Sequence, residues 1–169
     1  MAQDINSIIA RVVSVVGAAS GIGVPKVHNG ERDFTDEASV LYLMTDTGRR
    51  GGPMIHGWEV DSNDIVDTDP NGTSTNVVTE VQQVIVRGFY QRDDPQTGNY
   101  NTSKAAFRLL THVVRHALIK DIQSSTPLTG TCMNATFPEI VLSDDREIAE
   151  TPIHYVEMVF LVYIRNLIA

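Results

Sequence analysis

Cysteine is almost missing from this chain: Cys132 is the only one in 169 residues. One thiol cannot close an internal disulfide, and it cannot build a cysteine-rich zinc site. Basic residues are also scarce, 13 Lys and Arg against 21 Asp and Glu, for a formal charge of −8. That balance argues against sequence-independent nucleic-acid binding, which needs cationic surface to displace counterions from phosphate. Long apolar runs are missing too. The N-terminal group Ile8, Ile9, Val12, Val13, Val15 and Val16 is interrupted by Arg11. The stretch from Val156 to Ile164 is far shorter than the ~20 residues of a bilayer span. Asp4 stands where a secretory signal would carry positive charge. The expectation is a cytoplasmic site of synthesis and no membrane segment. What is present is ordinary, 42% hydrophobic and 20% charged residues. A chain of this length can bury a core without disulfide or metal staples, so residues 1–169 are expected to form a single domain.

Hydrophobic periodicity supplies the elements. Ile5, Ile8, Ile9, Val12, Val16 and Ala19 fall on one helical face, with Asp4 suited to the N-cap, predicting a helix over 4–19. The valines keep a strand open as the alternative for 8–16. Ala38 to Thr47 alternates like a strand, GRRGGP at 48–53 reads as a turn, and Met54 to Val60 alternates again, which suggests a hairpin. The polar stretch DSNDIVDTDPNGTSTN (61–76) predicts a long loop, and such loops are usually functional or disordered. Val77 to Gln91 reads as a central strand, and a second polar loop covers 91–101. Ala105, Ala106, Leu109, Leu110, Val113, Val114, Ala117 and Leu118 then form successive i, i+4 pairs. Lys104, Arg108, Thr111, His112, Arg115 and Lys120 stand opposite them. A long amphipathic helix over 103–124 follows, with Asn101 or Thr102 as its N-cap. Cys132 to Leu142 is a strand interrupted by Pro138, 144–150 an acidic turn, and Pro152 to Arg165 a final strand, apolar on both faces and therefore central. The fold class is α+β: a mostly antiparallel sheet flanked by an N-terminal helix and one long amphipathic helix.

Motifs that would name a reaction are weak in context. GAASGIG (17–23) and Tyr100-Asn-Thr-Ser-Lys104 resemble the short-chain dehydrogenase/reductase family. There, glycines let a helix N-terminus approach a pyrophosphate, and a lysine one turn from a tyrosine favours its phenolate. The glycines here are followed by GVPKVHNGER, which has no apolar period to continue as a helix. That reading stays as a minor alternative. His112 and His116 are spaced i, i+4 like zinc ligands, but no general base stands between them. The aspartates of 61–69 lack the glycine and glutamate of a calcium loop. The expectation is no catalytic residue, no cofactor and no metal. Arg49-Arg50, on a glycine-flanked tip, is suited to clamping an acidic neighbour.

The order of elements, the size, the basic-faced helix 103–124 and the closing strand HYVEMVFLVYIRN together resemble the tail terminator (tail completion) proteins of long-tailed bacteriophages, over nearly the full chain. That resemblance implies a homohexameric ring that caps the tail tube, docks the neck or head-completion protein and lets DNA pass through a channel without specific binding. It implies location in the virion and, during assembly, in the host cytoplasm. Another head–tail connector, neck or baseplate adaptor is the alternative structural role. Four of the thirteen basic residues lie on helix 103–124, whereas acidic residues gather in 61–69, 93–94 and 144–150. Separation of this kind favours head-to-tail contact between copies. Candidate subunit-interface residues are therefore Arg49, Arg50, Arg108, Arg115 and Lys120. Candidate neighbour-contact or channel residues are Asp61, Asp64, Asp67, Asp69, Asp93 and Asp94.

Overall fold

A computed structural model of the chain describes residues 4–21, 27–29, 45–46, 54–69, 77–92, 100–148 and 150–167. The first element is helix α1, Ile5–Ser20, so the N-terminal valines are helical and the strand alternative fails. Asp4 is its N-cap: the carboxylate accepts the Ser7 backbone N–H at 2.9 Å and the Ser7 hydroxyl at 2.8 Å. These bonds hold the Asp4 pKa below its usual range. Gly21, at φ 74°, closes the helix in the left-handed conformation that glycine adopts without a steric penalty.

The remaining elements are strands β1 (Val27–Asn29), β2 (Thr45–Asp46), β3 (Met54–Asp69) and β4 (Val77–Gln91), helix α2 (Tyr100–Ile122), a 3-10 turn (Pro127–Gly130), and strands β5 (Asn134–Ala135), β6 (Glu139–Ile148) and β7 (Thr151–Leu167). Among the described residues the sheet order is β1-β3-β4-β7, with β5 and β6 sharing the outer edge of β7, and β2 beside β3. Only β1 with β3 runs parallel; every other pairing is antiparallel. The architecture is thus α+β with a mostly antiparallel sheet.

Several boundaries differ from the sequence expectation. The stretch 61–69 is strand, not loop: Asp61 to Asp69 pair with Ile85 to Thr79 of β4 through two register shifts. Aspartate disfavours strands only weakly, and a strand as β-prone as β4 templates its partner. The acidic segment 144–148 is likewise strand, because β6 pairs with β7 up to Ile148 opposite Thr151. Glu150, at φ 60°, stands just before β7. Helix α2 starts at Tyr100, so Asn101 and Thr102 lie inside it rather than at its cap. Of the predicted strand 38–47, only Thr45–Asp46 lies within the described residues, where it pairs with Ile55 and Met54 as in the expected hairpin.

Both helices cover one face of the sheet and run antiparallel to each other. Arg11 of α1 reaches Asp121 of α2, with Nε 3.1 Å from Oδ2. Ile8, Val12 and Val16 meet Phe107, Val114, Leu118 and Ile122 above Trp58, Val86, Met158 and Phe160. A smaller cluster of Ile55, Phe89, Ile153 and Tyr155 lies apart from this core, on the alternate positions of the same strands. Trp58 needs a partner without a side chain. A Cβ on Gly88 would stand 2.7 Å from its Cζ3 and 2.9 Å from Cγ1 of Val156.

Helix α2 is rotated from the expected orientation. Its buried residues are Ser103, Phe107, Thr111, Val114, Leu118 and Ile122, whereas Leu109 is 67% and Val113 44% exposed. Thr111 tolerates burial because its hydroxyl donates to the Phe107 carbonyl at 2.9 Å. Phe107 decides the rotation by stacking on Tyr90 at 5.8 Å and on His154 at 6.0 Å between centroids.

Candidate functional site

The predicted interface residues do not form one cluster. Arg49, Arg50, Asp93 and Asp94 lie outside the described residues. Arg108 and Lys120 are exposed on α2. Arg115 is half-buried, and its Nε donates to the Pro138 carbonyl at 2.8 Å, so its charge fastens α2 to the segment entering β6. Asp61 is held by Arg87 at 3.2 Å. Asp64, Asp67 and Asp69 lie on the C-terminal half of β3, where Asp67 pairs with Val81 and Asp69 with Thr79 of β4.

The described residues of the two dehydrogenase-like motifs do not come together as a dinucleotide site. Gly17 and Gly21 finish α1 instead of opening a helix, so carbonyls, at the negative end of the helix dipole, stand where a pyrophosphate would need N–H donors. The C-terminal end of α1 lies beside Val113 and Ala117, about 20 Å along the α2 axis from Tyr100 at 1.5 Å per residue. Lys104 is 3.7 Å from Asp145. His112 and His116 are exposed on the outside of α2. Among the described residues no group of three or more His, Cys, Asp or Glu side chains could hold a metal ion, and no helix is long and apolar enough to cross a membrane.

Two polar constellations were not legible in the sequence. The first joins three elements. His154 of β7 has Nδ1 2.7 Å from Oδ1 of Asp145 on β6, and Nε2 3.0 Å from Oγ of Ser103 in the first turn of α2. This is the hydrogen-bond order of a serine nucleophile, base and orienting acid. Burial argues for a different role: Ser103 is 1% and His154 2% exposed. An adjoining cavity of about 150 Å³ is lined by His154, Phe107, Lys104 and Asp145 but not by Ser103. With Ser103 buried behind its own base, the chain of bonds ties the helix start to the β6–β7 hairpin as a clamp. Only the hairpin register, which sets Asp145 opposite His154, could have flagged it.

The second constellation is a charged row across three strands on the face away from the main core. Glu59, Arg87 and Glu157 are register neighbours on β3, β4 and β7. Arg87 Nη1 lies 3.4 Å from Glu59 and 3.2 Å from Asp61, and its Nε lies 3.2 Å from Glu157. Burial raises the Glu59 carboxyl pKa despite the opposing pull of Arg87. Burial disfavours the Arg87 charge, but the three carboxylates outweigh it and its pKa stays above the ordinary value. Tyr155 donates to Glu157 at 2.8 Å. Burial first, and that bond second, push its phenol up to about 12. One guanidinium shared among three carboxylates ties β3, β4 and β7 together across this face.

The exposed apolar residues define the remaining candidate. Ile140, Val141 and Leu142 are 44%, 54% and 37% exposed, next to Phe137 and Met133 at 48% and 47%. They lie on the outer edge formed by β5, β6 and their connection, and among the described residues no strand pairs the free side of β6. Leu109 and Val113 add a second exposed stripe on α2. No protein-family model matches the chain, and no curated protein is significantly similar to it.

Proposed function

We propose that this chain is a structural subunit that assembles with copies of itself into a ring, and that the ring closes the tail tube of a long-tailed phage and joins it to the neck. The observation that carries this reading is the edge strand β6, whose outer side has no strand partner among the described residues and which bears three consecutive exposed apolar residues. Natural monomers blunt such edges, because an open apolar strand invites other chains. The element order described above supports the same role. In this reading the ring has six copies, and DNA passes its channel without specific binding. The part of β3 bearing Asp61, Asp64, Asp67 and Asp69 projects toward a neighbouring ring layer or the channel.

The test is native mass spectrometry of the purified chain over a range of concentrations, together with electron microscopy of particles from an infection. A closed oligomer, or a ring at the tail–neck junction, is the expected result. A chain that stays monomeric at every concentration and is missing from purified particles would refute the proposal.

A further inference from the structure

We infer that the acidic edge strand β6 of one copy docks on the outer face of α2 of the next copy, so that the contact between subunits is heterologous. The inference rests on the ring reading and specifies its interface. Each of the two surfaces has an apolar centre bordered by charges of mainly one sign. On α2, Leu109 and Val113 are exposed, and Arg108, His112, His116 and Lys120 surround them on the solvent side. From Tyr100 to Lys120 the helix contains no acidic residue; Asp121, which follows, is bonded to Arg11. On β6, Ile140, Val141 and Leu142 are exposed between Glu139 and the run Asp144-Asp145-Arg146-Glu147, which leaves a formal −3 on the strand. Arg146 is committed to Asp144 at 3.1 Å and to the Tyr155 ring at 3.6 Å.

Charge decides which surfaces meet. Pairing β6 with β6 across a two-fold axis would set Glu139 and Glu147 against their own copies, and pairing α2 with α2 would do the same with the exposed Arg108 and Lys120, since Lys104 and Arg115 are bonded within the chain. Among these described surfaces, β6 against α2 joins opposite signs while covering both apolar centres. A contact between two different patches builds a ring when each chain offers one patch to either neighbour and the rotation closes, and a filament when it does not; used reciprocally by two chains it closes as a two-fold pair, which native mass separates from a ring.

The test mixes two full-length single variants, Leu109→Cys carrying a mass tag and Val141→Cys without one, under mild oxidation. The native Cys132 does not interfere: it is 2% exposed, and burial pushes its thiol up to about 11. The expected product is the mixed disulfide between tagged and untagged chains. Tagged–tagged or untagged–untagged dimers as the main product would overturn the heterologous contact, as would the lack of any cross-link while the wild-type chain assembles. A wild-type chain that never assembles would overturn the ring reading itself, a result the same mass measurement separates. As a second measurement, Arg108→Glu with Lys120→Glu is expected to weaken assembly roughly tenfold, and Glu139→Lys with Glu147→Lys in the same chain to restore it. No weakening, or no rescue, would place the contact elsewhere.

Discussion

Gly88 shows how much a missing side chain can decide. The Trp58 ring is fully buried over this position, and the space a Cβ would need is already taken by Trp58 and Val156. Gly88→Ala is expected to lower folding stability by about 1–3 kcal/mol, as overpacking does in tight cores, measured by denaturant unfolding. An unchanged midpoint would mean that the strand shifts freely, contrary to the packing described. Glu59 makes a different residue-scale argument. Its folded pKa lies above the unfolded one because burial disfavours the carboxylate. Its contribution to stability is therefore full below the unfolded pKa and is lost as pH rises through the folded value. Glu59→Gln removes this titration. As pH rises through and above the ordinary glutamate range, the stability of wild type relative to Glu59→Gln is expected to fall. A rising difference would show that Arg87 outweighs burial.

Elements were read best where burial and periodicity agree. The bounds of β4 coincide with the predicted 77–91, and α1 and β7 fall within one or two residues of expectation. Helix α2 was legible as a helix but not in its rotation. Its apolar residues span too much of the circumference to specify a single buried face, and Phe107 and Ser103 settle which side turns inward. The clamp belongs to this scale because it ties the α2 start to the β6–β7 hairpin. Ser103→Ala removes the hydroxyl partner of a buried imidazole and is expected to destabilise the fold by about 1–3 kcal/mol. A fluorophosphonate probe is expected to leave Ser103 unlabelled in the folded chain. Labelling that disappears in His154→Ala would instead reveal a hydrolytic serine.

At the scale of the whole molecule the central question is what covers the outer edge of the sheet. The helices shield one face, and the Arg87 row and the small Phe89–Tyr155 cluster occupy positions on the other, but among the described residues β6 keeps an open edge. Ring formation would remove that edge, as closure does in any assembly built from strands. The native-mass and cross-linking experiments therefore address one property from two sides: whether copies associate, and through which surfaces. The net charge of −8 keeps separate chains apart, so association has to come from local patches of opposite sign.

The amino-acid order alone determined the α+β class, the capped first helix, the central strands and the poverty of catalytic motifs, because each follows from local periodicity or from residue counts. The Asp145–His154–Ser103 clamp, the Arg87 row, the strand character of 61–69 and 144–148, and the exposure of Leu109 were decided only in three dimensions. Strand register and helix rotation bring together residues far apart along the chain, and both are set by packing between elements that no local pattern encodes.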